Sequence, residues 1–67
     1  MPIKRKIDVM CAYAGISQAE LARRVGMSPA NLNQKIMRGS IKYDELCRIA
    51  HAADCDLIFI TRDGKKI

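Results

Sequence analysis

The sequence predicts a mainly α-helical fold, a compact four-helix domain followed by one C-terminal β-strand. Three observations lead there. Apolar residues recur at three- and four-residue spacing as far as about residue 53. Gly15, Gly26 and Gly39 stand just past the ends of successive apolar runs, where helices close. The period then changes at Leu57-Ile58-Phe59-Ile60-Thr61, a β-branched and aromatic run bounded by Asp56 and by Arg62-Asp63-Gly64.

The first helix is expected over about residues 4–14, with Ile3, Ile7, Met10, Cys11 and Ala14 on one face and Gly15 closing it in the left-handed conformation. Ser17-Gln18-Ala19-Glu20 opens a second helix, 17–25, as a capping box: the Ser17 hydroxyl accepts from the Glu20 amide and the Glu20 carboxylate reaches back. Leu21, Ala22 and Val25 form its apolar stripe before Gly26. Ser28-Pro29 starts the third helix, 28–38, with a hydroxyl N-cap and a proline at the first helical position, where its missing N–H is no loss. Leu32 and Ile36 face inward; at about 100° per residue, Gln34, Ala30, Arg38, Met37 and Asn31 fall on the opposite side. Ile41 anchors the next loop. The fourth helix, 43–53, begins with Asp44 and Glu45, which suit the positive end of the dipole, and turns Leu46, Ile49, Ala50 and Ala53 inward.

The strand, about 57–62, is apolar on both faces, Leu57 and Phe59 on one and Ile58 and Ile60 on the other. A lone strand also has unpaired backbone edges. Pairing with the same strand of a second molecule across a two-fold axis satisfies edges and faces together, so Leu57, Ile58, Phe59 and Ile60 are the expected dimer interface. The alternative is an extended tail lying on its own helices.

The 67 residues form one domain, 1–67, and at this size a single core supplies only about 3–5 kcal/mol, which again favours a partner chain. Hydrophobic residues make up 49% of the chain, too many for a disordered one, yet Tyr13, Tyr43 and Phe59 are its whole aromatic content, so the core is aliphatic. The net charge of +5 is uneven. Residues 1–42 carry eight basic groups against Asp8 and Glu20, whereas residues 43–67 carry four against five acidic ones. The first two-thirds would attract a polyanion, and the tail would not. Cys11, Cys47 and Cys55 are an odd number without a CxxC pair, which fits a reducing cytoplasm better than a disulfide framework. Asp8 and the helical spacing around it argue against a signal peptide after Lys4-Arg5-Lys6, and no membrane span is expected.

Two short helices joined at Gly26-Met27, the second with a polar outer face, are the parts of a helix-turn-helix. The start of the first offers unpaired amides and a positive dipole to a phosphate, which sets how deeply the second enters a major groove. Ser17-Gln18-Ala19-Glu20-Leu21-Ala22, Val25-Gly26, Ser28-Pro29 and Asn31-Leu32 together resemble the lambdoid phage repressor and Cro-type family over about residues 3–53. The resemblance implies a DNA-binding transcription regulator, with Gln18 on phosphate and Pro29, Ala30, Asn31 and Gln34 reading bases in double-stranded DNA. Ser17 joins Gln18 at the backbone, with Arg23 or Arg24, Lys35 and Arg38 on flanking phosphates and Lys4 to Lys6 as a short basic arm. Two departures stand out: the third helix runs about one residue longer, with Lys35 where the family often has an apolar residue, and the strand replaces the family's fifth helix.

Cys47, His51 and Cys55, spaced by fours, would share a stripe on a continuous helix, but three ligands are too few for a closed zinc site and the helix is expected to end before Cys55. No metal, cofactor or small-molecule ligand is expected. Nor is an enzyme, since no nucleophile–base pair, phosphate-cradling glycine loop or paired carboxylates are visible. The reading from a different class is a protein-interaction module, such as an antitoxin-like partner whose apolar strand augments another protein's sheet.

Overall fold

A computed structural model describes residues 3–67. The four expected helices form, α1 (Ile3–Ala14), α2 (Gln18–Arg24), α3 (Pro29–Arg38) and α4 (Tyr43–Ala52), each within a residue or two of the sequence reading. Their starts follow from the caps. Ser17 Oγ accepts from the Glu20 amide at 3.0 Å and Ser28 Oγ from the Asn31 amide at 3.1 Å, each satisfying one of the donors a helix start leaves open.

Their ends share one device. The amides of Ile16, Met27, Ser40 and Cys55 donate to the carbonyls of Cys11, Ala22, Lys35 and Ala50 at 3.0, 2.9, 3.1 and 2.8 Å, a wide turn that needs a left-handed residue just before the donor. Gly15, Gly26 and Gly39 supply it after α1, α2 and α3; after α4 it falls to Asp54, at φ 57°.

Ile7, Cys11, Leu21, Ala22, Leu32, Ile36, Ile49 and Ala53 form the buried cluster, with Ile16, Val25, Met27 and Ile41 closing over it from the loops. The core is aliphatic, as the scarcity of aromatic residues predicts. α3 lies against α2 and α1, and α2 also touches α4, so the turn between α2 and α3 is braced from behind.

One buried group was not anticipated. Glu45 is only 9% exposed, on the side of α4 that faces α3. Its carboxylate accepts from the Lys42 amide at 3.1 Å, which caps α4, and from the Lys35 ammonium, which joins α4 to α3. A charge taken this far from water persists only with such partners.

The tail departs from expectation. Among the described residues there is no strand at 57–62; the tail contains an isolated antiparallel bridge between Ile60 and Lys66. The reason is a turn at Thr61–Gly64 that folds the chain back on itself. The Gly64 amide donates to Thr61 O at 2.9 Å, the Thr61 amide to Lys65 O at 2.8 Å, and the Ile67 amide to Phe59 O at 2.9 Å. The chain's own last residues thus satisfy part of the edge expected to pair with a second molecule, over too short a stretch to count as a sheet. Leu57 and Ile58 line a groove with Ile3, Ile7, Met10 and Leu46 between α1 and α4, while Ile58, Phe59 and Ile60 remain 42%, 71% and 61% exposed.

Candidate nucleic-acid interface

α3 divides as its wheel predicts. Leu32 and Ile36 are buried, whereas Pro29, Ala30, Asn31 and Gln34 are all exposed. The Ser28 cap uses the backbone amide of Asn31, not its side chain; among the described residues the carboxamides of Asn31 and Gln34 make no hydrogen bond within the molecule. Each therefore keeps a donor and an acceptor for an outside partner.

At the start of α2, Ser17 is exposed and Gln18 is half-buried. Gln18 Nε2 donates to Asn33 Oδ1 at 3.4 Å, a long bond that links the first residue of α2 to the middle of α3. The sequence reading missed Asn33. About 100° from Leu32 on the wheel, it sits at the border of the exposed face, and only the packing of α2 against α3 shows that this border faces Gln18.

The Glu20 carboxylate corrects the expected capping box. It does not reach back to Ser17 but turns to two guanidiniums, Arg23 and, at 3.1 Å, Arg24. Charged donors three and four residues along the same helix outcompete a neutral amide. Arg24 also donates through Nη1 to Ala52 O at 2.9 Å, tying α2 to the last turn of α4. Arg24 is thus a structural tie, and Arg23, with its side chain 78% exposed, stays on the surface.

Lys35, expected on a phosphate, pairs with Glu45 in the absence of DNA. Lys4, Arg5 and Lys6, expected as an arm, belong to the first turns of α1, where Lys4 pairs with Asp8 at 2.9 Å. Arg38 is exposed at the end of α3 and, among the described residues, forms no ion pair. Along α4 the cysteine–histidine stripe breaks at Asp54: Cys55 turns its thiol to Ala53 O at 3.3 Å, and no three metal-ligating side chains gather among the described residues. Burial first, and the nearby Asp8 charge second, push the Cys11 thiol above its ordinary pKa, so it stays protonated and unreactive.

This arrangement, a braced α2–turn–α3 unit with an open polar ridge, has a family counterpart. The model of the Cro/C1-type helix-turn-helix DNA-binding domain matches residues 6–58. The chain belongs to that family. Among curated proteins and among solved structures, nothing matches it. The Cro/C1-type match spans all of α2, α3 and α4 and stops at Ile58, so the turn at Thr61–Gly64 lies beyond it. Among the described residues no helix of this Cro/C1-type domain is long and apolar enough to cross a membrane.

Proposed function

We propose that the chain is a sequence-specific transcription regulator, a repressor that acts as a homodimer on a pseudo-palindromic operator with α3 in the major groove. The single observation that carries this reading is the division of α3: an apolar ridge, Leu32 and Ile36, buried in the fold, and a carboxamide-bearing ridge left open. Asn31 and Gln34 match the donor and acceptor that adenine presents in the major groove, and Ala30 is small and apolar enough to meet a thymine methyl beside Pro29. Ser17 and Gln18 supply the backbone contact that fixes register, and Arg23 and Arg38 neutralise flanking phosphates. Arg23 pairs with Glu20 yet keeps its side chain 78% exposed, whereas Lys35 is left out of this set because it is largely covered and held by the buried Glu45. Repression by occupancy needs no part beyond these, and the odd, unpaired cysteines suit a reducing cytoplasm.

Selection of bound duplexes from a random pool tests the reading directly, and an enriched inverted repeat is the expected product. On that duplex Gln34→Ala should weaken binding by about 1–3 kcal/mol and relax selection at one position per half-site, whereas Gln18→Ala should weaken every sequence alike. Equal losses on all sequences for both variants would mean that α3 does not read bases. A second reading, an antitoxin-like module that docks a different protein, draws on the exposure of Ile58, Phe59 and Ile60 and requires the free chain to be a monomer.

A further inference from the structure

Residues 43–67 carry four basic groups against five acidic ones, and apart from Arg48 on α4 and Asp63 on the turn the two signs separate. Asp44, Glu45, Asp54 and Asp56 lie on α4 or just beyond it, while Arg62, Lys65 and Lys66 lie together on the turn that follows. The path of the tail decides where that turn goes. Cys55 and Leu57 line a groove with Ala50 and Leu46, and Leu57, Ile58 and Phe59 line the next one with Leu46 and Tyr43. The tail therefore retraces α4 from its last turn to its first. An extended chain advances about 3.3 Å per residue against about 1.5 Å in a helix, so the stretch from Cys55 to Phe59 covers most of the helix length. Ile58 and Phe59 thus lie at the Tyr43 end of α4, next to the loop that carries Lys42, and Ile60 and the turn continue the chain from that end. The start of α1 adjoins the end of α3, since Ile3 and Lys4 border Ile36, Met37, Arg38 and Gly39.

The turn is a built element. Besides its backbone bonds, the Lys65 amide donates to Thr61 Oγ1 at 2.9 Å, and the Thr61 hydroxyl donates to the Asp63 carboxylate. Its one acid, Asp63, is exposed but engaged within the turn, held below its ordinary pKa first by the Thr61 hydroxyl and then by backbone amides, so the turn carries three basic groups against one carboxylate. Arg62, Lys65 and Lys66 are exposed and, among the described residues, form no ion pair with any carboxylate.

We infer that this turn is a second DNA contact, in which Arg62, Lys65 and Lys66, together with Arg38 and Lys42, bind the phosphodiester backbone flanking the groove that α3 enters. The inference rests on the DNA-binding reading above and extends the footprint past the residues that match the family. Because the ligand is phosphate, the turn adds affinity on every sequence and discriminates among none.

Binding of the full chain to a mixed-sequence duplex and to the best selected duplex, measured by anisotropy across a salt series, tests it. The triple variant Arg62→Gln, Lys65→Gln, Lys66→Gln should bind both duplexes more weakly by a similar factor, tenfold or more at low salt. Its plot of log affinity against log salt should be shallower by about 2–3 than that of the parent, close to 0.9 for each phosphate no longer neutralised. A parent that binds steeply and a triple variant that binds identically would overturn the role of the turn and leave the role of α3 standing; a parent that binds neither duplex would overturn both. Light scattering on each variant checks that its mass is unchanged. Should the triple variant alter it, Lys65→Gln and Lys66→Gln taken singly at unchanged mass decide the matter, each flattening the slope by about 0.9 or failing to.

Discussion

Glu45 shows how one side chain couples the start of α4 to the neighbouring α3. Its hydrogen bond from Lys35 first, and that from the Lys42 amide second, hold its carboxyl below the ordinary value of 4.5, and both outweigh the opposing effect of burial. A carboxyl with a depressed folded-state pKa contributes stability that is complete above the unfolded value and disappears as pH falls through the folded one. Denaturant unfolding between neutral pH and about pH 3 should therefore show stability falling once the pH drops below the usual glutamate range. Glu45→Gln should be less stable at neutral pH and flatter in its acid response; parallel pH profiles for parent and variant would refute this account. Little of the pairing was legible beforehand. Glu45 reads as an acid suited to the helix dipole, and Lys35 as a cation on an outward helix, because a bond spanning ten residues leaves no periodic trace. The wheel did hold a hint: three residues past Leu32, Lys35 lies only about 60° from the buried ridge, too close to it to be a plain surface lysine.

Helix boundaries were the most legible feature, since each is fixed by chemistry within a few residues of it. Ser17, Ser28 and Pro29 mark starts, and Gly15, Gly26 and Gly39 mark ends, all where the sequence places them. The fourth end is the odd one, because an aspartate occupies the left-handed position and sets a negative charge at the negative end of the dipole. Asp54→Gly removes both penalties and should stabilise the domain by about 0.5–1 kcal/mol, a rise of several degrees in a thermal melt of so small a protein. An unchanged or lower melting point would mean that the Asp54 side chain contributes something the backbone geometry does not show. The tail was read less well than the helices. Its composition is that of a strand, but strand formation depends on a partner edge, and the partner here is the chain's own end, brought back by a turn whose bonds run between Thr61, Asp63, Gly64 and Lys65. The polar ridge of α3 was legible because one helix wheel defines it, whereas Asn33 needed the position of α2.

At the scale of the molecule, a small aliphatic core coexists with a patch of apolar surface that the fold leaves open. Tyr43, Phe59, Ile60 and Ile67 are 63%, 71%, 61% and 76% exposed, and Phe59 and Tyr43 border the same groove. A second copy of the chain is the occupant we propose for this surface, and light scattering should give twice the chain mass across micromolar concentrations. Phe59→Lys, at a site too exposed to support the monomer's own core, should halve that mass while leaving the helical circular dichroism intact. It should also weaken operator binding more than binding to a single half-site. A parent chain that is monomeric at every concentration would instead favour docking to a different protein.

The open ridge of α3 has a consequence for how such a chain changes over generations. Pro29, Ala30, Asn31 and Gln34 contribute no buried side chain, and the one cap bond that passes through them uses main-chain atoms. On the proposed reading, exchanging the side chains of Asn31 and Gln34 leaves the folding equilibrium nearly untouched while rewriting the message, whereas Pro29 also helps to start the helix. A lineage built on this scaffold is free to wander among targets without passing through an unstable ancestor, and the chain's thermal robustness carries no information about which target it now holds.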